Sequence, residues 1–194
     1  MVTFMANLIR SPKSGSDWSS VDLEAYNIVV DFNNTPSFFG VDHLPQPTVD
    51  PEVWTTQDAK DMVSDRNAEL VCLLELATHI VPDEESAVTD FAIALFKLLG
   101  YVRRDRIART RKDISYLICE EWKLAKTDAC LLDTQKNDIL LVVQEDKIHL
   151  GQPRNVTHRL VASAIAAFEY NNRMRDQVLG QTALEPKVCI PVIR

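Results

Sequence analysis

The sequence predicts an α/β fold, a central sheet flanked by helices, with an N-terminal extension of helix and loop. Three observations lead there. Apolar runs at Ala129–Leu132 and Ile139–Val143 are hydrophobic on both alternating faces, as in strands covered on each side. A capped amphipathic segment, 83–99, precedes them, and a second helical pattern, 157–171, follows them. The chain has 194 residues, 46% hydrophobic and 25% charged, enough for one main domain with a real core.

Taken in order, residues 1–20 are polar, Ser-rich and aperiodic, and read as a flexible tail. Residues 21–81 read as an extension packed on the core. Within it, Tyr26–Phe32 suits a short strand and residues 33–51 a Pro-punctuated loop bearing Phe38 and Phe39. Thr55 and Thr56 then offer capping hydroxyls for a helix running to about Ile80, with Ala68, Val71, Cys72, Glu75 and His79 near helical spacing. Residues 82–194 form the core domain. Its first helix opens on Pro82, Asp83, Glu84 and Glu85, acids set against the positive end of the macrodipole. It buries Val88, Ala92, Leu95, Phe96 and Leu99, and stops at Gly100. A strand is expected over Ile107–Cys119.

The hairpin that follows carries the chemistry. With Asp128 opposite Glu145, Thr134 faces Ile139 and Gln135–Asp138 forms the loop. Residues opposite one another share a face, so Asp128, Glu145 and Lys147 fall in one patch with Cys130, Leu132, Leu141 and Val143; Ala129, Leu131, Leu140 and Val142 lie on the other face. Charges at the end of apolar strands cost several kcal/mol to desolvate unless something compensates them. A divalent cation suits, because carboxylates are the hard ligands that Mg²⁺ accepts, and a neighbouring ammonium can orient water or offset phosphorane charge. The plain alternative is a solvated hairpin end with a weak Glu–Lys ion pair.

Asp128 followed by Glu145-Asp146-Lys147 resembles the PD-(D/E)XK nuclease superfamily, with its restriction-endonuclease-like core of a mixed sheet between helices. The resemblance spans roughly residues 83–194. It implies Mg²⁺- or Mn²⁺-dependent phosphodiester hydrolysis of DNA or RNA, with Asp128 and Glu145 as metal ligands and Lys147 orienting water. It also implies an auxiliary acid on the preceding helix, Asp90 first and Glu85 as the alternative, and homodimers, in which many such nucleases work. The wording of Arg109–Asp113, Val143–Lys147 and Ala164–Phe168 is similar to an uncharacterised fungal family of such domains. Two departures stand out. Thr127 occupies the place often held by proline, and His158-Arg159 replaces the glutamine that opens the later helix in the exonuclease branch. Neither removes a metal ligand.

Between Arg103 and Lys112 lie six basic residues against one acid, Asp105, in a chain of net charge −7. Such a strip attracts phosphate over about a Debye length, ~10 Å, whatever the global charge. On a strand, Arg109 and Arg111 share a face and flank a substrate backbone, with Lys112 beside them and His149 past the Glu-x-Lys. A solvated strand edge explains the same charges. Without interleaved aromatics the run gives no case for single-strand stacking. A catalytically inactive module that binds nucleic acid or protein through this strip is therefore the rival to a nuclease.

Other classes fall away. Five glycines supply no phosphate-cradling loop. Cys72, Cys119, Cys130 and Cys189 are widely spaced in apolar segments and read as buried reduced thiols. No stretch reads as a membrane span or signal peptide, so the expected location is intracellular, cytoplasmic or nuclear. After the helix over 157–171, with Leu160, Ala164, Ala167 and Phe168 along one side, the segment 188–193 reads as a late strand, at an edge because of Pro191.

Overall fold

The computed structural model describes residues 9–44, 46, 48–78, 86–143, 157–185 and 192–193. Among the described residues the α-helices before the core are α1 (Ser20–Ala25), α2 (Thr35–Phe39), α3 (Glu52–Thr55) and the longer α4 (Asp65–Thr78). The core then runs α5 (Ala87–Leu98), β1 (Arg106–Ile118), β2 (Glu121–Asp133), β3 (Ile139–Val143), α6 (Thr157–Gln177) and β4 (Val192–Ile193). The strands form one mixed sheet in the order β1-β2-β3-β4. The first three are antiparallel, and β4 pairs parallel to β3.

The two-sided apolar pattern of β2 translates directly into two cores. Cys130 and Leu132 meet Ile114, Tyr116, Ile139 and Val142 under Ala162, Ala166 and Ala167 of α6. Ala129 and Leu131 meet Leu141 and Phe96 of α5 on the other face. Small side chains on α6 let it lie close to the sheet. Its buried line is Ala162, Ser163, Ala166, Ala167 and Asn171; of the expected line through Leu160, Ala164, Ala167 and Phe168 only Ala167 is fully buried, so the buried face is rotated from the expected one. The helix also runs to Gln177, past the expected end at Asn171.

The register of β2 against β3 differs from expectation by one residue. Ala129 pairs with Val143, Cys130 with Val142 and Leu131 with Leu141, and a bulge at Leu131/Leu132 brings Ile139 opposite Leu132. Asp133 causes part of this: its Oδ1 accepts the Gln135 and Lys136 N–H groups, folding the chain back at the end of β2. Because side chains alternate, the slip puts Val142 rather than Val143 opposite Cys130 and moves Leu141 to the α5 side with Leu131.

The N-terminal segment departs further from expectation. Within the supposed tail, Trp18 is buried against the α6-side core and stacks on Tyr26 with centroids 5.3 Å apart. Tyr116 Oη donates to the Lys13 carbonyl at 2.6 Å. Gly15 sits so close to the sheet that a Cβ there would lie 3.0 Å from Ala125 Cβ. The expected strand over Tyr26–Phe32 is absent, since α1 and its turn take up the chain to Asn27 and leave Val29 and Phe32 exposed. The expected helix from Thr55 is also split. Thr56 leaves helical backbone, and α4 starts only after Ser64, burying Asn67 and Leu70. Cys72 and Cys119 are exposed thiols, contrary to expectation, and Cys130 alone of the described cysteines is buried. Cys189 and Pro191 lie outside the described residues. No helix among the described residues is long and apolar enough to cross a membrane.

Candidate functional site

Asp128 lies in β2, which pairs with β1 on one side and β3 on the other, and is half-buried. Its surroundings come from an irregularity shared by two strands. Thr110 pairs with Ala129 and Lys112 with Thr127, but Arg111 and Asp128, which fall opposite one another between these pairs, are skipped in the ladder. Arg111 has φ +48°, the left-handed region rarely used by an arginine.

The consequence is a slip in alternation. Cys130 and its partner Arg109 face α6, and so do Thr127 and its partner Lys112, whose ammonium lies 4.5 Å from the Tyr170 ring centroid of α6. Strict alternation would put Thr127 and Cys130 on opposite faces. Arg109 and Lys112 therefore share a face, and Arg111 and Asp128 stand at the point where the phase changes.

Electrostatics at this level follow from the same placement. Burial pushes the Cys130 thiol up, while Lys112, Thr127 and Arg109 pull it partway back. Thr127 Oγ1 donates to the Lys112 carbonyl at 3.3 Å, spending a buried hydroxyl on the distorted ladder. Arg109, Thr110 and Arg111 are exposed on the edge strand.

The remaining edge of β1 is closed by α6. Leu117 N–H donates to Glu169 Oε2 at 3.0 Å, and Arg173 Nη2 donates to the Ser115 carbonyl at 3.3 Å and to Ser115 Oγ at 2.9 Å. Charged groups thus satisfy backbone atoms that an edge strand would offer to another chain. Burial pushes the Glu169 carboxyl above its usual range, against the opposing pull of Leu117 N–H and Arg173. Arg173 also lies over Trp122, 4.8 Å from its centroid, and 5.7 Å from that of Tyr170. Composition gave no sign of this grouping, although Tyr170 and Arg173 stand one helical turn apart in the sequence.

Asp90 is exposed in the first turn of α5, one turn before Ile93, which packs on the Ala129–Leu131 side. Glu85, Glu145, Lys147 and His149 lie outside the described residues, so the expected pairing of Asp128 with Glu145 meets the structure only at its neighbour. There Ala129 pairs with Val143, where the expected register required Gln144. Among the described residues no three His, Cys, Asp or Glu side chains converge as a metal site. Comparison of the chain with protein-family models, with curated proteins and with solved structures finds no match in any of the three.

Proposed function

We propose that this chain is a nuclease-like domain that hydrolyses nucleic-acid phosphodiester bonds with Mg²⁺ or Mn²⁺. The observation that carries the reading is Asp128 half-buried in the middle of a mixed sheet, with a helix on each face and the order helix, three antiparallel strands, helix, parallel strand. That order fits the arrangement implied by the PD-(D/E)XK resemblance, including an acid-bearing helix before the first core strand and a helix after the Glu-x-Lys.

In this reading Asp128 and Glu145 supply carboxylate oxygens to the metal, which activates water and neutralises phosphate charge when bound. Asp90 or Glu85 serves as auxiliary acid, and Lys147 orients the attacking water. Arg109 and Lys112 hold the substrate backbone from β1, three residues apart on one face. The donor set suits a hard divalent cation, since a single aspartate fixed on a central strand becomes a usable ligand once a second carboxylate reaches it.

A second reading keeps the fold and the basic face but not the chemistry, and is favoured by the same placement of Arg109 and Lys112, which need no metal to attract phosphate. One experiment separates the two. With Mg²⁺ or Mn²⁺, the nuclease reading expects cleavage of DNA or RNA that is lost in Asp128→Asn and in Lys147→Ala, the latter retaining metal affinity. Salt-sensitive binding without cleavage in the unaltered chain assigns it to the binding class.

A further inference from the structure

We propose that the row Lys112, Tyr170, Arg173 and Trp122, beside the β1 edge, binds single-stranded nucleic acid, with a base stacked on Trp122 and phosphates on Lys112, Arg173 and Arg109. The proposal deepens the nucleic-acid reading above and rests on it.

The basic run of β1 contains no aromatic residue, so its sequence offers charge without a stacking surface. Folding supplies the missing half. Lys112 stands over the Tyr170 ring, and the Arg173 guanidinium lies near both the Tyr170 and Trp122 rings, so cations and aromatics alternate across residues from β1, α6 and β2. The row is held in place: Tyr170 Oη accepts from Asn137 Nδ2 at 2.7 Å, and Arg173 is bonded to Ser115 through both backbone and hydroxyl. Glu121 beside Trp122 is engaged by Lys123 at 2.8 Å, and the Glu169 carboxylate by Leu117 N–H.

Trp122 is 59% exposed. A large apolar ring kept in solvent at the end of a row of cations matches how proteins hold unpaired bases, where an aromatic face takes the base and neighbouring cations take the phosphates. In a duplex the base faces are already stacked on one another, so this geometry favours a single strand or a frayed end. Charge complementarity selects the occupant. Arg109, on the same face of the edge strand as Lys112, continues the row past Asp128, and the run Arg103–Lys112 to which both belong holds six basic residues against one acid.

The test is binding by the full chain of a labelled oligothymidylate and of a duplex of equal length, both in EDTA so that no cleavage intervenes. The expected result is tighter binding of the single strand, weakened about tenfold by Trp122→Ala and largely kept by Trp122→Phe. In a Trp54→Phe background, where Trp18 is buried, the oligonucleotide should quench Trp122 fluorescence. Equal affinity for duplex and single strand, an unchanged affinity in Trp122→Ala with folding confirmed by circular dichroism, or binding of an acidic peptide in place of the oligonucleotide overturns the proposal. Cleavage lost in Asp128→Asn with single-strand binding intact leaves it standing; cleavage of duplex with Trp122-independent binding sinks it and spares the nuclease reading.

Discussion

Asn171 completes both backbone groups of Ile139: its Oδ1 accepts the Ile139 N–H at 2.7 Å and its Nδ2 donates to the Ile139 carbonyl at 2.9 Å. The pair is buried, and it ties the start of β3 to α6 where the bulge at Leu131/Leu132 disturbs the ladder. Replacing Asn171 by Leu strands a donor and an acceptor together, each costing about 1–3 kcal/mol. Asn171→Leu should therefore destabilise the fold by roughly 2–6 kcal/mol on that principle, and Asn171→Asp should also be costly because a carboxylate cannot donate to the carbonyl. Urea denaturation followed by circular dichroism measures both.

The β1–β2 hairpin turns through Cys119 and Glu120, with φ +48° and +66°. A two-residue connection with both centres left-handed is the mirror-image turn that matches strand twist, and it favours Asn-Gly. Neither residue here is suited to it. Glu120→Gly relieves one left-handed side chain, offset in part by the greater freedom of glycine in the unfolded chain, and should stabilise by about 1 kcal/mol. A midpoint of urea unfolding that fails to rise would show the strain to be absorbed elsewhere.

Much of this architecture was legible in the sequence, and the parts that were not share a cause. The two cores around β2 followed from its apolar faces, and α5 from its stripe and terminal glycine, although Leu99 of that stripe is exposed. The register did not. When both faces of a strand are apolar, sliding it by one residue costs little in pattern, so the outcome was decided by the Asp133 turn and the bulge. The helical face of α6 was read correctly only at Ala167, for a similar reason, because a line of alanines is marked by size rather than by hydrophobicity. Trp18 was hidden as a single anchor in a polar stretch. At the site, the basic run was visible, but its junction with Tyr170 and Trp122 is a contact between distant segments that no local spacing encodes.

Two carboxylates should respond to pH with opposite sign. Burial works to raise Asp22, but hydrogen bonds from Lys13 and Ser19 outweigh it and hold the group below its usual range. The unfolded chain then binds more protons near the ordinary aspartate value, about 3.9, so the Asp22 contribution is present above that value and is lost as pH falls through the folded pKa. Glu169 is raised mainly by burial. Its contribution is greatest below the ordinary glutamate value, about 4.3, and is lost as pH rises through the folded pKa. Thermal melts across the acid range should show Asp22→Asn flattening the loss of stability at low pH, whereas Glu169→Gln removes a decline on the other side. Parallel curves for the wild type and both variants would refute the assignment.

Arg109 and Lys112 share the α6 face of β1 because the alternation slips at Arg111, and this sets how each should contribute to polyanion binding. A phosphate contact releases condensed counterions, and its loss reduces the slope of log K against log salt by about 0.7 for a single strand and about 0.9 for duplex DNA. Arg109→Ala and Lys112→Ala should each lower the slope by about that amount, and the double variant by about twice as much, with little change in preference among sequences. Arg111→Ala should change the slope less, since its left-handed backbone takes it out of the ladder that orders its neighbours. Nitrocellulose filter binding over a range of potassium chloride concentrations reads all four slopes, and a larger loss from Arg111 than from Lys112 would place the phosphate track on the other side of the β1 edge.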